Sequence, residues 1–142
     1  MENKHLVWEI VRIGRGHRKL IEKEIIDLGI HPSQHHFLMY IAKHGACTQN
    51  NIADAMEISA ATVAVSLKKL EKGGYIEKQT SRTDSRSNLI ALTAKGEDVV
   101  TKSKDMFDRV DREMFASLTE EEQQQLHNLM ERVVNNLKTM ED

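Results

Sequence analysis

Apolar side chains recur at helical spacing over most of the chain. Residues 4–28 predict a first helix, because one broad face repeats every three or four positions. Gly29 ends that helix, and Pro32 in the first turn begins a second over residues 31–44. The positions on the broad face of the first helix are Leu6, Val7, Ile10, Ile13, His17, Leu20, Ile21, Ile25 and Leu28. A face of this width predicts a packing partner.

Two shorter helices follow with a tight break between them. Thr48 is a suitable N-cap for a helix over residues 48–56, and Ser59 for a helix that runs up to Gly73-Gly74. Their inner faces carry Ile52, Ala53 and Met56 in the first helix and Val63, Leu67 and Leu70 in the second. Because the break spans only residues 57–59, the pair predicts a helix-turn-helix.

The one departure from helical spacing comes next. Residues 75–78 and 87–92 predict two short strands, and the loop between them contains Arg82, Asp84 and Arg86. Two strands with a basic tip form a wing. We therefore expect the second short helix to enter a DNA major groove, and the two arginines to contact phosphates or a narrow minor groove. Asp84 is expected to hold the arginines by a local ion pair.

The last third predicts two more helices, over residues 93–117 and 119–140. Thr119 and Glu122 have the spacing of a capping box, with Phe115 and Leu118 placed to pack as a staple. The final helix carries an apolar stripe of Leu126, Leu129, Met130, Val133, Val134 and Leu137. Since a compact core is already complete without it, we expect the first and last helices to bury this surface in a twofold homodimer.

Composition limits the class of protein. The chain has 142 residues, of which 39% are hydrophobic and 4% aromatic, and this predicts one mainly α-helical domain. It lacks an apolar run of membrane-spanning length and a signal pattern, so we expect a cytoplasmic protein with no membrane partner. The net charge of −2 is unevenly spread: residues 59–95 hold seven basic and three acidic residues, and residues 96–142 hold six and twelve. A basic region facing phosphates predicts salt-sensitive binding to nucleic acid.

The stretch from Gly29 to Gly96 resembles the MarR family of dimeric bacterial transcription regulators. The residues that carry the resemblance are Gln49, Ile52 and Ala53, then Ser59, Thr62 and Val63, then the run from Leu70 to Ile76, and finally Arg82-x-Asp84-x-Arg86 with Leu92-Thr93-x-x-Gly96. Their order and spacing together are specific. The chain departs from the family at Ala64 and Val65, where polar or basic residues are usual, so direct base recognition should be sparse and more specificity should come from the wing and from DNA shape.

The resemblance implies a fold and an organisation. Residues 1–142 would form a single domain, with a winged helix-turn-helix DNA-binding lobe over residues 30–95 and a helical dimerisation lobe from residues 1–29 and 96–142. It implies a homodimer that binds a pseudo-palindromic operator in double-stranded DNA and represses transcription. A small-molecule effector would relieve that repression. The predicted DNA-binding residues are Thr48, Gln49, Ser59, Ala60, Thr62, Val63, Ser66, Lys69, Arg82 and Arg86.

The family also binds small anionic or aromatic molecules in a cleft between the dimer helices and the DNA-binding lobe. The residues placed to border such a cleft are Arg15, His36, Met39 and Tyr40, for which ordinary packing is the favoured interpretation. No cofactor is expected.

Two sensing roles compete with simpler interpretations. His31, His35, His36 and His44 with Cys47 suggest a metal sensor, but their spacing favours surface or interface histidines and no metal site is predicted. Cys47 precedes a helix N-terminus, where the dipole can lower a thiol pKa and favour peroxide sensing. A small buried apolar role is the favoured interpretation of this lone cysteine.

Two other function classes are disfavoured. No nucleophile is paired with a base, and no glycine-rich loop follows a strand, so the chain is not expected to be an enzyme. The alternative to a DNA-binding regulator is a winged-helix module that binds another protein, suggested by the apolar surface around Ala60, Ala61, Ala64 and Val65. The basic residues Lys68, Lys69, Lys72, Arg82 and Arg86 argue against it.

Overall fold

The computed structural model describes residues 2–80 and 88–141. Within them the chain is mainly α-helical, as predicted, with one small antiparallel sheet. The elements are α1 (Asn3–Asp27), α2 (Pro32–His44), α3 (Gln49–Met56), α4 (Ala60–Lys72), β1 (Ile76–Thr80), β2 (Asn88–Leu92), α5 (Ala94–Met114) and α6 (Glu120–Glu141). The predicted helices and strands are confirmed, with boundaries that differ by one to three residues.

The chain divides into two compact units, Met1–Met106 and Phe107–Asp142, and the division falls inside α5. The predicted lobes, 30–95 on one side and 1–29 with 96–142 on the other, stay a prediction.

The core of the first unit is built from the inner faces of its helices and both strands. Its fully buried apolar side chains include Leu38 of α2, Ile52 of α3, and Val63 and Leu70 of α4. Burial of each such side chain contributes about 1.5–3 kcal/mol. Both α3 and α4 are short and would be marginal as isolated helices, so burial of these side chains stabilises them and sets their orientation.

The small sheet has one more partner than the sequence predicted. β1 and β2 pair antiparallel, with Ile76 opposite Leu92 and Lys78 opposite Ile90. On its other edge Ile90 exchanges two backbone hydrogen bonds with Cys47, at 3.1 and 2.7 Å. The segment that leads into α3 is thereby tied to the base of the wing.

The junction between β1 and α5 is also tightly held. The Thr93 hydroxyl donates to the Gly74 carbonyl at 2.5 Å, and the Thr93 amide donates to the Tyr75 carbonyl at 3.1 Å. Gly96 packs so closely here that a Cβ atom would overlap the carbonyl oxygen of Tyr75. Gly74 has a φ of 81°, a conformation that glycine adopts without strain.

Most of α1 presents its apolar face to solvent in the single chain. Of the nine positions predicted on that face only Ile25 is buried, while Val7, Ile10 and Ile13 are each more than half exposed. An exposed stripe of this length on one helix is unusual for a monomer.

In the second unit the predicted capping box of α6 is confirmed. The Thr119 amide donates to the Glu122 carboxylate at 2.8 Å, and the Glu122 amide donates to the Thr119 hydroxyl at 3.1 Å. Described by itself, α6 has no buried residue. Its exposed apolar side chains are Leu129, Met130, Val133, Val134, Leu137 and Met140.

Candidate nucleic-acid interface

The start of α3 is fixed by its predicted N-cap. The Asn51 amide donates to the Thr48 hydroxyl at 3.1 Å, and the Thr48 amide donates to the Asn51 side-chain oxygen at 3.0 Å. This reciprocal pair satisfies two of the otherwise unpaired amides at the helix start.

The turn between α3 and α4 is fixed in the same way. Glu57 ends α3 in the left-handed conformation, with φ of 55°. Ser59 then caps α4, because its hydroxyl accepts from the Thr62 amide at 3.2 Å. The Gln49 side-chain amide crosses the turn and donates to the Ala60 carbonyl at 3.0 Å. These bonds hold α4 at a set angle to α3, as a helix-turn-helix requires.

The two sides of α4 are chemically distinct. Val63, Leu67 and Leu70 are buried against the core. Successive residues of a helix are about 100° apart, so the opposite side carries Ala61, Val65, Lys68 and Lys72, all of them exposed. Val65 is 57% exposed. The outward face is therefore apolar over the first two turns and positively charged over the last two.

Val63 requires a correction. It was predicted from the sequence as a DNA-binding residue, but its side chain is 0% exposed and lies in the core. The reason is geometric: at helical spacing Val63 falls in line with Leu67 and Leu70, so it cannot also face outward.

The other predicted DNA-binding residues fall into three groups. Ser59, Ala60, Thr62 and Lys69 are exposed, and Thr48, Gln49 and Ser66 are half-buried. Gln49 and Ser59 are also hydrogen-bonded within the protein, as described above, so their first role is to position α4. Arg82 and Arg86, together with the expected ion pair to Asp84, lie outside the described residues.

Two further lysines lie near the C-terminal end of α4. Lys95 donates to the Gly73 carbonyl at 2.7 Å, and its ammonium lies 4.4 Å from the centroid of the Tyr75 ring. Lys78 of β1 is 3.9 Å from the Glu71 carboxylate, a loose and exposed contact that contributes little to stability. Neither lysine was predicted from the sequence as a DNA-binding residue.

A groove of about 440 Å³ adjoins α4 on the side toward α2. Phe37, Met56 and Ile58 supply its apolar surface. Its polar lining consists of Ser33, His36, Thr62 and Ser66. Thr62 and Ser66 of α4 thus border a space large enough for a small molecule.

Of the four residues predicted to border an effector cleft, His36 lines this groove. Arg15, Met39 and Tyr40 are not among its lining residues. The Tyr40 ring lies against the His44 ring with centroids 4.3 Å apart, and its hydroxyl donates to the Asn51 carbonyl at 3.5 Å. Tyr40 therefore helps to pack α2 against α3, in line with the favoured packing interpretation.

His35 is a buried residue whose role was not predicted from the sequence. Its Nε2 atom lies 2.7 Å from the hydroxyl oxygen of Ser103, and that hydroxyl donates to the Val99 carbonyl. Because the hydroxyl proton is used in this way, His35 donates to Ser103. Burial lowers the pKa of His35 below its usual value, and the neighbouring His36 lowers it further. No sequence signal connects two residues 68 positions apart.

Cys47 is buried beside Ile90, and that burial raises the pKa of its thiol. The redox alternative depended on a thiol pKa lowered by the helix dipole, and the raised pKa contradicts it. The favoured interpretation as a small buried apolar residue is confirmed.

The histidines serve separate purposes. His31 caps α2, with its Nδ1 atom accepting from the Ser33 amide at 3.1 Å. Within residues 2–80 and 88–141 no three His, Cys, Asp or Glu side chains come together as they would around a metal ion.

None of the helices in residues 2–80 and 88–141 combines the length and apolar character needed to cross a bilayer.

Comparison with known proteins agrees with this architecture. Residues 28–87 match the model of the MarR family. The HTH-type transcriptional regulator BilQ of Clostridium symbiosum is 34% identical over 80% of this chain and 76% of its own. A point mutant of MepR from Staphylococcus aureus has a TM-score of 0.86 at 26% identity, covering 92% of this chain and 97% of MepR.

A MepR–DNA complex from S. aureus is similar as well, with a TM-score of 0.78 and 27% identity over 89% of this chain and 96% of MepR. With the capped helix-turn-helix, the two-stranded wing base and these matches together, the chain belongs to the MarR family. BilQ is an HTH-type transcriptional regulator, and MepR is a transcription regulator of a S. aureus multidrug efflux pump.

Proposed function

We propose that this protein is a homodimeric transcriptional repressor that binds a pseudo-palindromic site in double-stranded DNA and releases it when a small molecule binds. The observation that carries the proposal is the outward face of α4. That face is presented by a capped turn and combines an apolar N-terminal half with Lys68 and Lys72. The likeness to MepR, which has been crystallised with DNA, supports the same use of the helix here.

Charge supports nucleic acid over a protein as the partner of this face. Residues 59–95 hold seven basic and three acidic residues, and the exposed lysines of α4 lie on its outward and adjacent sides. Such a surface gains affinity by releasing counterions from phosphates. Each phosphate contact makes the slope of log K against log salt concentration steeper by roughly one. A winged-helix module that binds only another protein remains the second candidate function.

The homodimer is supported by the exposed apolar faces of α1 and α6, each considered separately. A second copy of the chain can cover both faces, because a twofold interface buries the same surface of each copy. The same axis would place two α4 helices in successive major grooves, about 34 Å apart along the duplex. This is the geometry that a pseudo-palindromic operator requires.

The groove beside α4 supports ligand control. Its apolar surface suits a small aromatic molecule, and His36 with the hydroxyls of Ser33 and Thr62 can bind polar or anionic substituents. Because Thr62 and Ser66 belong to α4, a ligand in the groove would contact the DNA-binding helix directly. We further propose that the protein acts in the cytoplasm and has no enzymatic activity.

The experiment that tests this function is binding to a labelled fragment from upstream of the protein's own gene, titrated with salt and random competitor DNA. We expect saturable binding that survives competitor and protects a twofold-symmetric site. The paired variants Lys68→Ala and Lys72→Ala should weaken binding and reduce the salt slope by about one unit each.

The control is Lys104→Ala, an exposed lysine on α5. It should bind as the unmodified protein does. Binding that is lost equally to random competitor, with lysine variants indistinguishable from the control, would favour the protein-binding module.

A further inference from the structure

The outward face of α4 contains a specificity feature that charge alone does not explain. Ala61 and Val65 lie one turn apart on this face, directly in line with Lys68 and Lys72. Val65 is 57% exposed, although a β-branched apolar residue has no stabilising role on a solvated helix surface. Its methyl groups gain hydrophobic stabilisation only when a partner covers them.

The polar side chains near the start of α4 are already engaged. The Ser59 hydroxyl accepts from the Thr62 amide and lies 2.8 Å from the Thr62 hydroxyl, while the Gln49 amide donates to the Ala60 carbonyl. Ser66 lines the groove beside the helix, on a different side from Val65. On the outward face of the first two turns, the described residues thus offer a base edge only methyl groups.

A methyl surface matches one feature of the major groove. Thymine is the base that carries a C5-methyl group there, whereas guanine and adenine are distinguished by paired hydrogen bonds that alanine and valine cannot make. The N-terminal part of a recognition helix lies nearest the base edges, and Lys68 and Lys72, further along the same face, would be free to contact phosphates. The order of residues along α4 fits this placement.

We propose that Val65, flanked by Ala61, is a specificity-determining residue that packs on a thymine methyl group, so that each preferred half-site carries thymine opposite the second turn of α4. This inference rests on the proposed function and specifies the class of DNA sequence that the protein selects. Lys68 and Lys72 add affinity without choosing the base.

The test begins with selection of duplexes from a random-sequence pool by the full-length protein. Each thymine of the selected site is then replaced by deoxyuridine, which removes only the C5-methyl group. We expect one position in each half-site where uracil lowers affinity about four-fold, the effect of one buried methyl group. At that position Val65→Ala should bind the thymine and uracil duplexes within about two-fold of each other, because the methyl contact is already lost.

Lys68→Ala is the matched control, since it lies on the same face and should weaken binding to both duplexes equally. Val65 is exposed, so Val65→Ala should keep the fold, which a thermal unfolding curve will verify. Uracil tolerated at every position, or an unchanged uracil penalty in Val65→Ala, would overturn the inference and leave the regulator intact. Enrichment of no sequence at all would overturn the proposed function, and the inference with it.

Discussion

The Nε2 atom of His35 lies 2.7 Å from the hydroxyl oxygen of Ser103, inside the first unit and 68 residues away along the chain. The bond joins α2, which borders the proposed effector groove, to α5. Because both side chains are buried and Ser103 also donates to Val99, the pair forms a satisfied polar connection within an otherwise apolar core.

This pair predicts a pH dependence of stability. The pKa of His35 in the folded protein lies below its ordinary value of 6.5, so the unfolded chain takes up the proton more readily. The contribution of His35 to the free energy of unfolding should not change above about pH 6.5. Below that pH the free energy of unfolding should fall, until the pH passes the pKa of His35 in the folded protein. Urea unfolding followed from mildly alkaline to mildly acidic pH measures this.

Two variants assign that slope to His35. His35→Gln, which keeps a donor near the Nε2 position, should flatten the curve. Ser103→Ala should cost about 1–3 kcal/mol near neutral pH, because it leaves a buried donor without an acceptor. An identical slope in His35→Gln and the unmodified protein would contradict the assignment.

The contact between Gly96 and Tyr75 predicts opposite outcomes for the same substitution at two helical glycines. Gly96→Ala places a methyl group onto the Tyr75 carbonyl and should destabilise the protein by about 3 kcal/mol or more, because backbone has to move. Gly16→Ala, where nothing lies within 4 Å, should stabilise α1 by about 0.5–1 kcal/mol. Thermal or urea unfolding compares them, and a well-tolerated Gly96→Ala would show that the α5 junction is looser than described.

The left-handed conformation of Glu57 predicts a stabilising change in the turn of the helix-turn-helix. Glu57→Gly should raise the free energy of unfolding by up to about 1 kcal/mol, since a side chain in this conformation costs about 1–2 kcal/mol and glycine does not bear that cost. Asp54→Gly, in the regular part of α3, should lower it by about 0.5–1 kcal/mol. Equal losses in both variants would mean that Glu57 is not strained.

The apolar face of α1 predicts how the homodimer can be disrupted. Ile13→Glu places a charge in the centre of that face and should shift the protein to monomer in sedimentation experiments. Ile26→Glu is the control, because Ile26 is similarly exposed but lies on the opposite side of α1 from that face. A dimer that is insensitive to Ile13→Glu would remove α1 from the interface.

The burial of Cys47 predicts a slow thiol. Because its pKa is raised and access is limited, alkylation by iodoacetamide at mildly alkaline pH should be at least about tenfold slower than for a free cysteine, and should become fast in urea. Mass spectrometry of timed samples measures the rate. Fast alkylation of the folded protein would restore Cys47 as a candidate sensor.

The sequence by itself determined the features that depend on neighbours along the chain. Thr48, Ser59 and Thr119 cap the helices predicted for them, because a cap and its amide partners lie within three residues. Apolar spacing likewise located the helices and strands, since helical and extended backbones repeat at different periods.

Tertiary structure alone decided which residues meet across the fold. It joined His35 to Ser103, tied Cys47 to Ile90, and brought His36 into a groove with Thr62. Each of these depends on how elements distant in the sequence pack against one another. Such packing is set by the summed shape of the core, and no local pattern of residues encodes it.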